Sequence, residues 1–535
     1  MRRLLSTLAL LATSLATLCA QSQGQVQVAV FSINDFHGAF VRNDSKDIPG
    51  APAVLQTLDS LKRVYPLHVT VAAGDNFGGS YFYNATHGVL LPVLFNEMGI
   101  RLSAIGNHEF DDGQPALADK WGNSPLRPEG WDITYVCANV RRRTDGTARI
   151  PDFAQPVATE TVTLPGGKPF RIAFVGLLAS STPLQASVRK LAGLSFDGRY
   201  SAVLDSVMRL PEASLVEGAD LRLLLTHIGT YTDAAGNPQW DDQDSLNLRS
   251  LNNPLWHGIL SAHSHQPVCG LINNARYPVV QGKWHGNFIS MLLCTVDTAT
   301  GKVRHVEPRL VQVTPKVKLE AAPARLQALT DSLLQNTRTP GGTSIGTMLT
   351  TAQADMPHDR DDKYKQTRMG TLVCAAYAEA YRHAAKAKAD EIVVGCSHFG
   401  SIRAGFAKGP VSVLDVGEAL PFSNRLRVYA LTGKQLKALV DFGFHNLRYG
   451  YLQTSGLSVE RDAQGNVTSL TYTGGGRCQA IGDRTRCIVV ADEFITTGGD
   501  GYSPDFFPAK QELRLEGLPA TTDAFIGFLQ QQETI

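Results

Sequence analysis

The stretch AIGNHEFDDG, Ala104–Gly113, sets an amide, an imidazole and three carboxylates directly behind a short apolar run that reads as the end of a strand. Alone it is a polar loop. Other β-rich runs nearby end in the same chemistry. Asp35 and His37 stand in FSINDFHG, Asp75 in VAAGDN, His227 in LLTHIG, and His263 with His265 in SAHSHQP. A single strand-end Asp often caps a helix and a single His is often a satisfied core or surface residue, so the signal lies in the recurrence. Two Asp, one Asn (Asn107) and four His suit a pair of divalent cations. One bridging carboxylate with neutral amide and imidazole donors leaves the metals enough charge to acidify water. Mixed nitrogen and oxygen donors favour zinc, manganese, iron or cobalt.

Outward from these ends, VQVAVFSI, HVTVAAG, RLSAIG, ITYVCANV, FRIAFVGLL, LRLLLTHIG, GILSAH and YPVVQG read as strands, with helical patterns between them at Ala53–Val64 and Leu90–Met98. Alternation of this kind predicts an α/β layered domain over 26–313, with ligands collected where parallel strands stop. A weakly amphipathic helix in 314–342, closed by Pro340-Gly341-Gly342, reads as a linker. A second α/β domain follows over 343–535.

Of the 535 residues, 43% are hydrophobic and 19% charged, as in an ordinary globular chain. The first twenty residues, MRRLLSTLALLATSLATLCA, have a basic start, an apolar middle and small residues before Gln21, a secretory signal pattern. Removing Arg2 and Arg3 with that leader takes the net charge from +1 to +1 − 2 = −1. Such a balance gives no field for a nucleic acid polymer, and no run is apolar enough to span a membrane. A periplasmic or secreted protein is expected; a lipoprotein on Cys19 is the alternative, disfavoured by the bulky Leu18. Seven cysteines remain, of which Cys478 and Cys487 bracket a polar loop and are the expected disulfide, the others reading as buried small hydrophobes.

The ordered series DxH, GD, GNHEFD, HxG and HxH resembles the calcineurin-like metallophosphoesterases, and GNHEFD their secreted bacterial 5'-nucleotidase branch. The later signatures QTRMGTLVCAAYAEA, GCSHFGSIRAGFAKG and FITTGGDGYSP resemble the 5'-nucleotidase C-terminal domain, extending the likeness over Val26–Phe506. The resemblance implies a four-layer αββα metallophosphoesterase domain followed by a smaller α/β substrate-binding domain. It places Asp35, His37 and His265 on one metal, Asn107, His227 and His263 on the other, and Asp75 between them. His108 then faces the substrate and pairs with Asp111. Glu109 is left as a supporting carboxylate, and Gly106 as the residue that lets the backbone turn.

In the second half the resemblance puts Arg403 on a substrate phosphate, with Lys363 and nearby Arg360 as further cations. Phe422 and Tyr502 would sandwich a nucleobase, and Asn424 would bond its edge. His398 stands where members carry Asn, and Lys363 where they carry Arg. The function expected is release of phosphate from nucleoside 5'-monophosphates or related nucleotides by attack of a metal-bound hydroxide, with substrate between the domains. Alternatives on the same site are a 2',3'-cyclic nucleotide, a nucleotide sugar or a carrier-bound sulfur ester; from another class, a non-catalytic nucleotide-binding module.

Overall fold

The computed structural model describes residues 24–535 except 120–123, 127–130, 145–146, 187–188, 250, 317, 360–361, 423 and 447. The expected leader and Arg360 therefore lie outside the described residues. Among these no helix is long and apolar enough to cross a membrane. The chain divides into two compact units, one up to Thr330 and one from Asp331, the division falling inside the helix Ala321–Asn336.

The first unit is built on two six-stranded sheets. In one, Gln25–Ile33 runs parallel to His68–Ala72, which pairs in turn with Leu102–Ala104. In the other, Leu221–His227 runs parallel to both Pro169–Leu178 and Gly258–Leu260. Alternate side chains explain the layering, since period-2 strands offer one apolar row to each face. Val28, Val30, Val69 and Val71 of the first sheet pack in one core with Phe170, Phe174, Leu223 and Leu225 of the second. From the second sheet's opposite face, Ala173, Val175 and Leu224 meet Tyr200, Val203 and Leu204 of the helix Tyr200–Val207. The helix Ala51–Val64 packs on the first sheet at Phe288–Asp297. These are the four layers, helix, sheet, sheet, helix.

One expected strand is interrupted. ITYVCANV breaks after Val136 because Asn139 is buried and uses its amide on another strand, accepting from Leu178 N at 2.8 Å and donating to Leu178 O at 2.7 Å.

In the second unit a four-stranded sheet orders Leu426–Thr432, Arg486–Asp492, Val393–Ser397 and Gln453–Thr454. The helix Arg368–Ala385 starts at Thr367, whose hydroxyl accepts from Gly370 N. It lies so close to the central strand that a Cβ at Gly395 would sit 1.8 Å from the Cys374 carbonyl oxygen. The disulfide expectation is corrected here: Cys478 is exposed and free, whereas Cys487 is buried in its strand and also free. Cys137, Cys294, Cys374 and Cys396 are buried, in keeping with their apolar surroundings, while Cys269 is exposed.

Candidate metal centre and base-binding cavity

Both sheets of the first unit deliver their candidate ligands at strand ends. Asp35, Asp75 and Asn107 come just after three adjacent strands of one sheet, and His227 and His263 at and just after neighbouring strands of the other. Three groups of side chains are close enough to hold a cation: Asp35, His37 and His265; His37, Asp75 and His108; Asp75, His227 and His263. Nε2 of His37 lies 3.1 Å from Nε2 of His265, and Nδ1 of His263 lies 3.2 Å from Nε2 of His227. Two ring nitrogens facing each other cannot both carry hydrogen, so a lone pair is available at each meeting.

Asp75 stands between the two sets. Its Oδ1 accepts from His108 N at 2.8 Å, while its Oδ2 is 3.2 Å from His227 Nε2 and 3.9 Å from His37 Nε2. The Asn107 Oδ1 is buried without a hydrogen-bond partner. A buried amide oxygen left unpaired is costly, and coordination of a cation is one way to satisfy it. These observations fit divalent metals. Burial holds His37 near 4 and also lowers His263, keeping both imidazoles neutral as metal ligation requires. For His227 burial works the same way, but the Asp75 charge and hydrogen bond overcome it and raise the ring to about 10.

Asp35, His37, Asp75, His263 and His265 all hold φ between 48° and 82°, a region that non-glycine residues seldom adopt. Each such residue costs of order 1–3 kcal/mol and persists where the surroundings impose it, often at functional sites. Gly106 is explained differently from the expectation of a turn. Its φ is not left-handed; a Cβ there would lie 2.1 Å from Asp75 Oδ1, so the position is bare to let the Asp75 carboxylate approach.

Glu109 has a larger part than the sequence suggested. It is buried, and its two oxygens accept from Asp75 N at 2.8 Å, Gly106 N at 2.6 Å, Asn76 N at 2.7 Å and Asn76 Nδ2 at 3.2 Å. One carboxylate thus ties the loop of Asp75 to the loop of Asn107. Burial, with the Asp75 charge, pushes it up to about 7 against those donors. Two further residues at the centre went unread. Gln185 meets His263 Nε2 at 3.2 Å, and Trp284 stacks on His265 with ring centres 4.9 Å apart. Their signal is contact alone, which spacing does not carry.

His108 Nδ1 lies 2.7 Å from Asp111 Oδ2, as the resemblance implied. Burial disfavours a charged ring here; the Asp111 hydrogen bond and the charges of Asp75, Asp111 and Glu109 outweigh it and raise His108 to about 9. The ring is therefore cationic at neutral pH. Asp112 is exposed.

In the second unit a cavity of about 720 Å³ brings together Lys363, His398, Arg403, Phe422 and Asn424, five of the residues singled out in the sequence. The sixth, Tyr502, is only 2% exposed and belongs to the unit's apolar core, where it packs against Phe442. The expectation of a Phe422–Tyr502 sandwich is corrected on that ground. The cavity's other phenyl and phenol rings are Phe399, which is buried, and Phe494 and Tyr449, which are exposed. His398 stacks on Phe494, with ring centres 4.8 Å apart, and its Nδ1 is 2.7 Å from Asp500 Oδ2. The Arg403 guanidinium lies 5.7 Å from the centre of the Phe422 ring, and Lys363 Nζ donates to Arg448 O.

Residues 29–267 match the calcineurin-like phosphoesterase family, and residues 344–507 the 5'-nucleotidase C-terminal domain. Endonuclease YhcR of Bacillus subtilis is 22% identical over 90% of this chain; the chain spans only 38% of that relative. The 5'-nucleotidase of Vibrio vulnificus is 24% identical over 94% of this chain and 92% of its own length. In fold, the crystal structure of a 5'-nucleotidase precursor from Thermus thermophilus is similar with a TM-score of 0.60 and 22% identity, covering 95% of this chain and 97% of that one.

Proposed function

Because the chain belongs to the family that joins a calcineurin-like phosphoesterase domain to a 5'-nucleotidase C-terminal domain, and is thus a metal-dependent phosphoester hydrolase, we propose that it releases phosphate from nucleoside 5'-monophosphates or related nucleotides outside the cytoplasm. The observation that carries this reading is the placement of Asp75 Oδ2 between two facing sets of imidazoles, together with the buried, unpaired oxygen of Asn107. Asp35, His37 and His265 would hold one cation, and Asn107, His227 and His263 the other, with Asp75 shared. Bound divalent cations supply positive charge to the phosphate oxygens and acidify water.

The remaining steps fall to this chain's own groups. His108 presents a proton toward the leaving oxygen, and Asp111 fixes which ring nitrogen carries it. Glu109 keeps the Asp75 and Asn107 loops in register. In the second unit, Arg403 and Lys363 offer cations to phosphate oxygens, the guanidinium being suited to two at once. Phe422 and Phe494 offer flat faces to a base, an interaction that tolerates different bases. The basic, apolar, small-residue start of the chain supports export.

A phosphate-release screen over nucleoside 5'-monophosphates, 2',3'-cyclic nucleotides and nucleotide sugars tests the reading. Release from the monophosphates is expected, and its absence refutes the proposed substrate class. His108→Ala should lower kcat about 10²–10⁴-fold, the usual worth of a positioned acid, with metal content unchanged. Unchanged turnover refutes its assigned role.

A further inference from the structure

A second cavity, of about 610 Å³, lies in the first unit beside the turn that follows Asp111. Its wall carries three cations, Arg142, Arg189 and Lys190, against one carboxylate, Asp152, together with the ring of Phe153. None of these belongs to the groups able to hold a metal. The cations that are engaged use neutral partners. Arg142 donates to Gln114 Oε1 at 2.5 Å and lies over Phe153, 5.6 Å from the ring centre; Lys190 Nζ donates to the carbonyl of Asp111. Gln114 in turn donates to the carbonyls of Lys190 and Ala192, both at 3.0 Å.

This wall has the chemistry of a phosphate and a flat ring. Exchanging a neutral acceptor for a phosphate oxygen gives each cation an ion pair, and a guanidinium can meet two such oxygens at once. A guanidinium plane over an aromatic face is a ready stacking partner for a base. The volume lies in the range of small-molecule sites, about 300–1,000 Å³. The position also matters: Lys190 and Gln114 hold the turn that carries Asp111, and Asp111 orients His108. A ligand that engages Lys190 competes with its bond to the Asp111 carbonyl.

We propose that this cavity is a modulatory site for a nucleoside phosphate, which slows hydrolysis through the Asp111 turn without occupying the metal centre. The test uses the metal-loaded full chain carrying Phe422→Ala and Phe494→Ala, so that the second unit's cavity is disabled. p-Nitrophenyl phosphate serves as reporter substrate. The probe is adenosine 5'-phosphonate, whose ester oxygen is replaced by methylene so that it cannot be hydrolysed. The expected result is a fall in kcat to a non-zero plateau with KM unchanged, and adding Arg142→Ala with Arg189→Glu should raise the half-maximal probe concentration tenfold or more, while Arg189→Glu alone should leave basal kcat within twofold. Purely competitive inhibition, no inhibition, or inhibition insensitive to those substitutions overturns the proposal. If the combined variant folds poorly, Arg189→Glu alone, at an exposed position, should still raise the half-maximal concentration at least threefold, and no change refutes the site.

Discussion

Glu109→Gln separates a positioning carboxylate from a bystander. Each oxygen of Glu109 accepts two donors: Oε2 takes Asp75 N and Gly106 N, and Oε1 takes Asn76 N and Nδ2. An amide keeps one acceptor oxygen and turns an NH₂ group toward the other pair. Whichever way it is oriented, two donors lose their acceptor and face hydrogens instead. With the site 1% exposed, water cannot take their place, and each unsatisfied buried donor costs about 1–3 kcal/mol. The variant should therefore lose about 2–6 kcal/mol of stability. In a unit of this size that is a Tm lower by roughly 4–24 °C, at about 2–4 °C per kcal/mol. Because the lost bonds hold the loops of Asp75 and Asn107, metal affinity should fall about 10–100-fold, the usual effect of removing a group that orients a ligand. Thermal unfolding with and without metal, together with metal titration by calorimetry, reads both. A variant that melts lower yet binds metal and turns over within twofold of wild type would refute the positioning argument and leave Glu109 as packing.

The raised His108 makes a pH prediction. Its cation persists below about 9 and is lost above, so the part of kcat/KM that needs it should decline as pH rises through about 9. Asp111→Asn leaves an acceptor but removes the negative charge that helps hold the proton, and should move this decline toward the ordinary imidazole value of about 6.5; an unmoved alkaline limb in the pH–rate profile counts against the pair. In the second unit, Phe494→Ala should raise KM for a nucleotide about 5–150-fold, from the roughly 1–3 kcal/mol that stacking on one ring is worth, and leave p-nitrophenyl phosphate unaffected. Tyr502→Leu should lower the melting temperature yet leave both KM values unchanged, because the ring is buried in the core against Phe442; a large KM effect there would return Tyr502 to the base site.

The candidate metal centre was legible because a parallel strand buried on both faces must be apolar along its length and can turn polar only where it stops. Asp35, Asp75, Asn107, His227 and His263 therefore announced themselves as abrupt changes of character at five strand ends. Glu109 was equally visible as a carboxylate and unreadable in role. What it does depends on which N–H groups converge on it, and Asp75 and Asn76 come from more than thirty residues away. Gly106 shows the same limit, since its missing Cβ answers to an oxygen on a neighbouring loop rather than to its own backbone.

The second unit shows where motif spacing misleads. FITTGGDGYSP holds two aromatics, Phe494 and Tyr502, eight residues apart, and nothing in composition says which one meets solvent. The fold decides through the turn between them. Gly498, Asp500 and Gly501 adopt left-handed backbone, so the chain reverses and carries Tyr502 into the core against Phe442, while Phe494 stays at the cavity wall. His398 then finds a place that the expected Asn could not fill in the same way, with its ring flat on Phe494 and its Nδ1 on Asp500. The substitution at His398 and the choice of Phe494 are thus one feature: the imidazole braces the ring at the cavity wall, and Asp500 holds the imidazole in that plane.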